Sequence, residues 1–188
     1  MNFLLLMMLV NVPLNTIKIF DFNSESNIYS WRIVNDVVMG GKSSSTITIN
    51  KEGHGQFSGT VSTENNGGFS SIRHIFKSVK VKKANKICVL LKGDGKDYQL
   101  RIKDNHKNYY SYINTFSTSG KWQEIEIPLI NMYPSFRGRK LTKPNFYQDA
   151  IEEITFLIAN NKNEKFQLII DKIYSRFAVK PTYYRRSL

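Results

Sequence analysis

WRIVNDVVMGGKSSS, residues 31–45, sets the logic from which the rest of the chain can be read. Trp31 to Val34 is a short extended run that stops on Asn35-Asp36, and Met39-Gly40-Gly41 leads into a row of small polar side chains. ENNGGFSSIR, residues 64–73, offers the same ingredients again: Asn65-Asn66-Gly67-Gly68, then Phe69 and a return to alternation. Asx side chains bond nearby backbone, and glycines tolerate a sharp return, so both stretches read as tight corners between strands. Neither has the spacing of a catalytic triad, a zinc site or a phosphate loop.

Working outward, the dominant period is two. Ile17 to Phe22, Thr46 to Ile49, Gln56 to Ser62 and Phe69 to Phe76 alternate or nearly so, with polar turns between them. Lys86 to Lys92 is almost wholly apolar and suits an interior strand covered on both faces. Tyr98, Leu100 and Ile102 alternate with Gln99, Arg101 and Lys103, and further strands are expected at Tyr109–Phe116, Trp122–Ile127, Ile154–Ala159 and Phe166–Tyr174. Met132–Phe146 reads as one long irregular loop, and Tyr147–Glu153 as a single helical turn. About ten short strands with little helix predict an all-β sandwich or jelly roll in one domain, residues 17–176.

The ends differ in character. Residues 1–16 hold the apolar run Phe3 to Val10, either the core of a signal peptide, implying export to a periplasm, or a leading strand of a cytoplasmic protein. Eight residues are too few for a transmembrane span. Residues 177–188 form a basic, aromatic tail.

Lys+Arg of 27 against Asp+Glu of 15 gives a net charge of +12, which favours anionic partners. The lysines are scattered, however, and no groove-reading motif accompanies them, so nucleic-acid binding is not expected. Cys88 is the single cysteine and lies in an apolar run, which excludes an internal disulfide and points to a buried thiol. His54, His74 and His106 are too dispersed for a metal motif. Glu124 and Glu126 are a carboxylate pair on the solvated face of a strand, where ion pairing with Lys or Arg outweighs glycoside hydrolysis as a reading.

Three groups are candidate binding residues. Asn35, Asp36, Met39, Gly40 and Gly41 form the first corner. Asn65, Asn66, Gly67, Gly68 and Arg73 form the second. The fork of Arg73 suits a carboxylate, whether internal (Asp36 or Glu64) or on a partner, and we expect it to pin the Asp36 loop. Tyr133, Phe136, Arg137 and Arg139 make an aromatic and basic loop of the kind enriched at interaction hot spots. Tyr109, Tyr110 and Tyr112 would serve a glycan if exposed on a sheet face. Asp21 and Asp171 are weak calcium candidates, since two carboxylates fall short of the six to eight oxygens calcium takes. No cofactor is expected.

Taken together, these blocks resemble the complex I intermediate-associated protein 30 family. WRIVNDVVMGGKSSS resembles its W-x-x-x-N/D-D-x-V-M-G-G-x-S opening, and FSGTVSTENNGGFSSIR its second block. LKGDGKDYQLRI, WQEIEIPL with YPSFRGR, and ITFLIANNKNEKFQLIIDKI follow in order, from about Ile17 to Tyr174. The resemblance implies a galactose-binding-like β-sandwich, related to some carbohydrate-binding modules. It also implies a scaffold or chaperone in assembly of the NADH:ubiquinone oxidoreductase, not an enzyme. An Arg-rich amphipathic transit sequence is lacking, which suggests a bacterial homologue. The expectation is a non-catalytic module that binds a protein partner through loops, with a carbohydrate-binding module as the alternative.

Overall fold

Alternating side chains give each strand one apolar face, and two sheets bury those faces against each other. The structure is a computed structural model that describes residues 15–82 and 85–177. The first sheet contains β1 (Asn15–Asp21), β3 (Ser44–Ile49), β4 (Gly55–Val61), β6 (Lys86–Lys92), β9 (Trp122–Pro128) and β13 (Glu164–Phe177). Its order is β3-β4-β13-β6-β9, with β1 pairing the C-terminal half of β13. The second sheet contains β2 (Trp31–Asn35), β5 (Ser70–Lys80), β7 (Asp97–Lys103), β8 (Ser111–Ser117), β10 (Tyr133–Phe136), β11 (Arg139–Lys140) and β12 (Ala150–Ile158). Its order is β11-β10-β8-β7-β12-β5-β2, antiparallel throughout. This is the all-β sandwich that the alternation predicts, and its two-sheet form agrees with the galactose-binding-like fold that the resemblance implies.

Ile87, Val89 and Leu91 of β6 and Leu168, Ile170 and Ile173 of β13 are buried in one core with Ile72, Leu100, Ile102 and Phe156 of the facing sheet. Each such side chain contributes about 1.5–3 kcal/mol on burial. Trp31 closes one end of the core, with ring centroids 5.3 Å from Phe22 and 5.0 Å from His74.

Two expectations are corrected. The segment 132–146 is not wholly irregular, because β10 and β11 form a hairpin that extends the second sheet at its edge. Arg137 and Gly138 make its two-residue turn with φ of 49° and 76°, the positive pair that suits a tight hairpin. The segment 147–153 is not a helical turn, since β12 begins at Ala150. The register shifts between Ile151 and Glu153, so Ile151 and Ile154 both reach the core at a spacing of three. A β-bulge there imitates helical periodicity.

Residues 1–14 and 178–188, which hold the apolar run and most of the basic tail, lie outside the described residues. Among the described residues no helix is long and apolar enough to cross a membrane.

Candidate functional site

The two glycine blocks do meet, and Asp36 is what joins them. Its carboxylate is fully buried and accepts from the backbone N–H of Ser43 at 2.9 Å, Gly68 at 2.6 Å and Phe69 at 3.2 Å, and from the Ser43 hydroxyl. Gly41 and Gly67 lie so close that a Cβ would fall 2.4 Å and 2.6 Å from that carboxylate. Burial pushes the Asp36 pKa up, but the Ser43 hydroxyl and the three backbone donors outweigh it and hold the group below its ordinary value of 3.8. Asn35 is engaged as well, its Oδ1 accepting from the hydroxyls of Ser45 and Ser70 at 2.9 and 2.8 Å. Asn65 Nδ2 donates to the Gly40 carbonyl at 3.2 Å, while Asn65 and Asn66 take positive φ in the second turn. Asn35, Asp36, Gly40, Gly41, Asn65 and Asn66 thus build a corner whose polar groups largely serve one another.

Arg73 does not pin this corner. In β5 it stands opposite Thr155 of β12 and Arg32 of β2, three residues beyond Ser70, which is about 10 Å along a strand. Its carboxylate partner is Glu153, with Nε 3.3 Å from Oε1.

Arg73 belongs instead to a groove of about 560 Å³ on the outer face of the second sheet. Cross-strand register lines up Arg73, Thr155 and Arg101 across its floor. Met39, Gly67 and Gly68 from the two signature corners form one wall, and Phe136, Arg137 and Tyr109 form the other. Met39 and Tyr109 are each 61% exposed and Phe136 is 37% exposed, so these walls present apolar surface to solvent. Tyr109 meets Phe136 edge-on at 5.2 Å, and the Arg137 guanidinium sits 5.2 Å over the Phe136 ring. Tyr133 is half-buried beneath Lys140, and Arg139 is exposed on β11.

The floor is cationic. Glu153, buried beneath it, is pushed up by desolvation against the opposing pull of Arg73 and Lys103, whose Nζ is 3.8 Å from Oε2. Lys103 Nζ also donates to the carbonyls of Asn108 at 2.8 Å and His106 at 3.3 Å. Arg101 Nε and Nη2 both donate to Gln99 Oε1, at 3.1 and 2.6 Å. Burial lowers the pKa of both Arg101 and Lys103. The sequence reading set Arg101 and Lys103 on the outward face of their strand but gave them no role, and it missed Glu153 and Thr155. Strand parity was the available signal; the sheet order that joins them was not.

The glycan candidates separate by the same parity. Tyr109 lines the groove, whereas Tyr112 is 1% exposed and packs on Phe146 at 5.0 Å, so it faces the core. Tyr110 packs against that core with Lys143 Nζ 5.3 Å over its ring. Asp21 meets the Lys18 ammonium at 3.3 Å and Asp171 the His54 ring Nδ1 at 3.1 Å, rather than lying among further oxygens. Among the described residues the one cluster with metal-ligand geometry is Cys88, Glu124 and Glu126. Both glutamates pair with Arg176, and Glu126 also with Lys86, as the strand reading expects. Burial pushes the Cys88 thiol up to about 11, which disfavours a thiolate ligand.

Two packed antiparallel sheets with a groove across one outer face define a galactose-binding-like β-sandwich. Two solved structures of family 11 carbohydrate-binding modules from Clostridium thermocellum share this fold. One was solved with a β-1,3-1,4-mixed-linked tetrasaccharide, and has a TM-score of 0.66 at 20% identity over 87% of this chain and 96% of its own. The other, from the cellulosomal cellulase Lic26A-Cel5E, gives 0.66 and 20% over 89% and 96%. The chain belongs to the Complex I intermediate-associated protein 30 (CIA30) family, whose profile matches residues 20–170. The mitochondrial Complex I intermediate-associated protein 30 of Drosophila melanogaster is 26% identical over 153 residues, 70% of this chain and 52% of the relative. The chain therefore spans about half the length of that relative.

Proposed function

We propose that this chain is a binding module in assembly of the NADH:ubiquinone oxidoreductase, holding a segment of a protein partner in the groove of the second sheet. The observation that carries this reading is the groove's construction. Its first wall is made by Met39, Gly67 and Gly68 of the two sequence blocks that carry the family resemblance, so both blocks border this exposed apolar trough. The unbranched, exposed Met39 side chain beside the anchored corners adapts to varied partners, and Phe136 and Tyr109 supply large contact area. The trough suits a segment better than a docked domain, because a standard domain interface needs about 1,600 Å² in total. Binding rather than catalysis is supported by the lining, which includes no Asp or Glu among the described residues, whereas glycoside hydrolysis needs two placed carboxylates.

Full-length tagged protein, recovered from its native cells, tests this by mass spectrometry against a Met39→Ser, Phe136→Ser variant. Subunits or assembly intermediates of the oxidoreductase should be enriched with the parent and reduced with the variant. Equal recovery from both, or no such subunit from either, would remove the reading. A second reading, glycan binding, is favoured by Tyr109 beside the hydroxyls of Ser111, Ser135 and Thr155. Calorimetry with mixed-linked glucan oligosaccharides separates the two.

A further inference from the structure

We propose that the groove floor is a carboxylate-binding subsite centred on Arg101, and that its occupant is an acidic side chain on a peptide segment of the protein partner. The inference rests on the protein-partner reading above and gives it a chemistry. Arg73, Arg101 and Lys103 place three cations on or under the groove floor, Arg137 adds a fourth on its wall, and among the described residues Glu153 is the one carboxylate paired with any of them. That carboxylate is shared by Arg73 and Lys103. Among the described residues Arg101 has no ion-pair partner, and its guanidinium hydrogen-bonds only to the neutral Gln99.

Elsewhere the chain does supply anions to its cations. Arg176 receives Glu124 and Glu126, Lys86 receives Glu126, and Lys96 receives Asp94 at 2.7 Å. A guanidinium stays charged however it is placed, so its partial desolvation is recovered only when an anion arrives. Gln99 meanwhile takes two of its donors and fixes the plane of the fork, leaving Nη1 without a protein acceptor among the described residues. A pre-oriented guanidinium matches a carboxylate in two parallel hydrogen bonds. The walls choose the carrier. Met39, Phe69, Leu157 and Phe136 border the floor with apolar surface, which suits apolar residues flanking an Asp or Glu. For a charged sugar, the aromatic platform is thin, since Tyr109 and Phe136 are set edge-on rather than as a flat row.

The ¹⁵N-labelled full chain, titrated with two capped tripeptides, tests this at residue resolution: acetyl-Leu-Glu-Phe-amide against acetyl-Leu-Gln-Phe-amide, with glucuronate as a third probe. The glutamate peptide should give saturating shifts at Ser71, Thr155 and the Arg101 side chain, with a dissociation constant roughly millimolar. The glutamine peptide should bind about tenfold or more weakly, and the glutamate peptide should lose the same factor on Arg101→Met. The probe comparison needs no variant, so it stands even if Arg101→Met misfolds. Equal binding of the two peptides, or shifts that never saturate and spread over surface lysines, overturns the subsite. Glucuronate binding more tightly than the glutamate peptide overturns the peptide as carrier. Failure here alongside capture of oxidoreductase subunits would sink the subsite alone; success here without such capture would sink the assembly reading alone.

Discussion

Asp36 and Arg101 are charged groups a few strands apart with opposite provisions. Asp36 is an anion closed in on every side, with backbone N–H groups and a serine hydroxyl supplied by the two glycine corners. Arg101 is a cation on an open floor, given a neutral amide to hold its plane and no carboxylate among the described residues. Both stand within a few residues of the groove walls, yet one is complete and the other is not. A charge whose partners all come from its own chain serves the fold. A charge that is oriented but uncompensated is available to something else.

The largest effect should come from breaking the closed side. Asp36→Ala leaves several buried donors unpaired and should cost about 3 kcal/mol or more, a fall in melting temperature of roughly 6–12 °C, read by thermal and chemical unfolding. The same group carries an acid signature. Its folded pKa is depressed, so its stabilisation is present above the ordinary value of 3.8 and is lost as pH falls through the lower folded value. Asp36→Asn should therefore flatten the loss of stability in that acid window. An unchanged acid slope would mean that Asp36 is not the anchor.

Gly67→Ala comes next. Its Cβ would lie 2.6 Å from Asp36 Oδ2 and 2.8 Å from the Ser62 carbonyl, so the corner must shift, at about 1–3 kcal/mol. A variant as stable as the parent would show that the two blocks are not pressed together.

Arg101→Met should do least to the fold. It removes a partly desolvated charge that lacks an internal carboxylate, so stability should stay within about 0.5 kcal/mol of the parent or rise. A loss comparable with that of Asp36→Ala would place Arg101 on the structural side of the contrast.

Much of this was legible from residues alone, for definite reasons. Period-two alternation in stretches such as Tyr98–Lys103 is enforced by burial of one face, and the sandwich follows from it. The two glycine corners announced their meeting through matching turn chemistry. What joined them was misassigned, because Arg73 and Asp36 look complementary on paper while strand geometry carries them apart. Tyr147–Glu153 was misread because the bulge near Glu152 sets Ile151 and Ile154 at helical spacing. Tyr112 was misplaced by one step of parity, which exchanges core for surface in a strand. The groove was the least visible feature. Arg73, Arg101 and Glu153 belong to β5, β7 and β12, and only the sheet order puts β12 between the other two.

The contrast is tested most directly by asking which surface touches a partner in the native cell. A photo-reactive residue can replace Tyr109 on the groove wall, 61% exposed, or Lys42 outside the Asp36 corner, whose side chain is 59% exposed. The account predicts crosslinks to an oxidoreductase subunit or assembly intermediate from position 109 and none from position 42. Crosslinks from position 42 with none from 109 would contradict it.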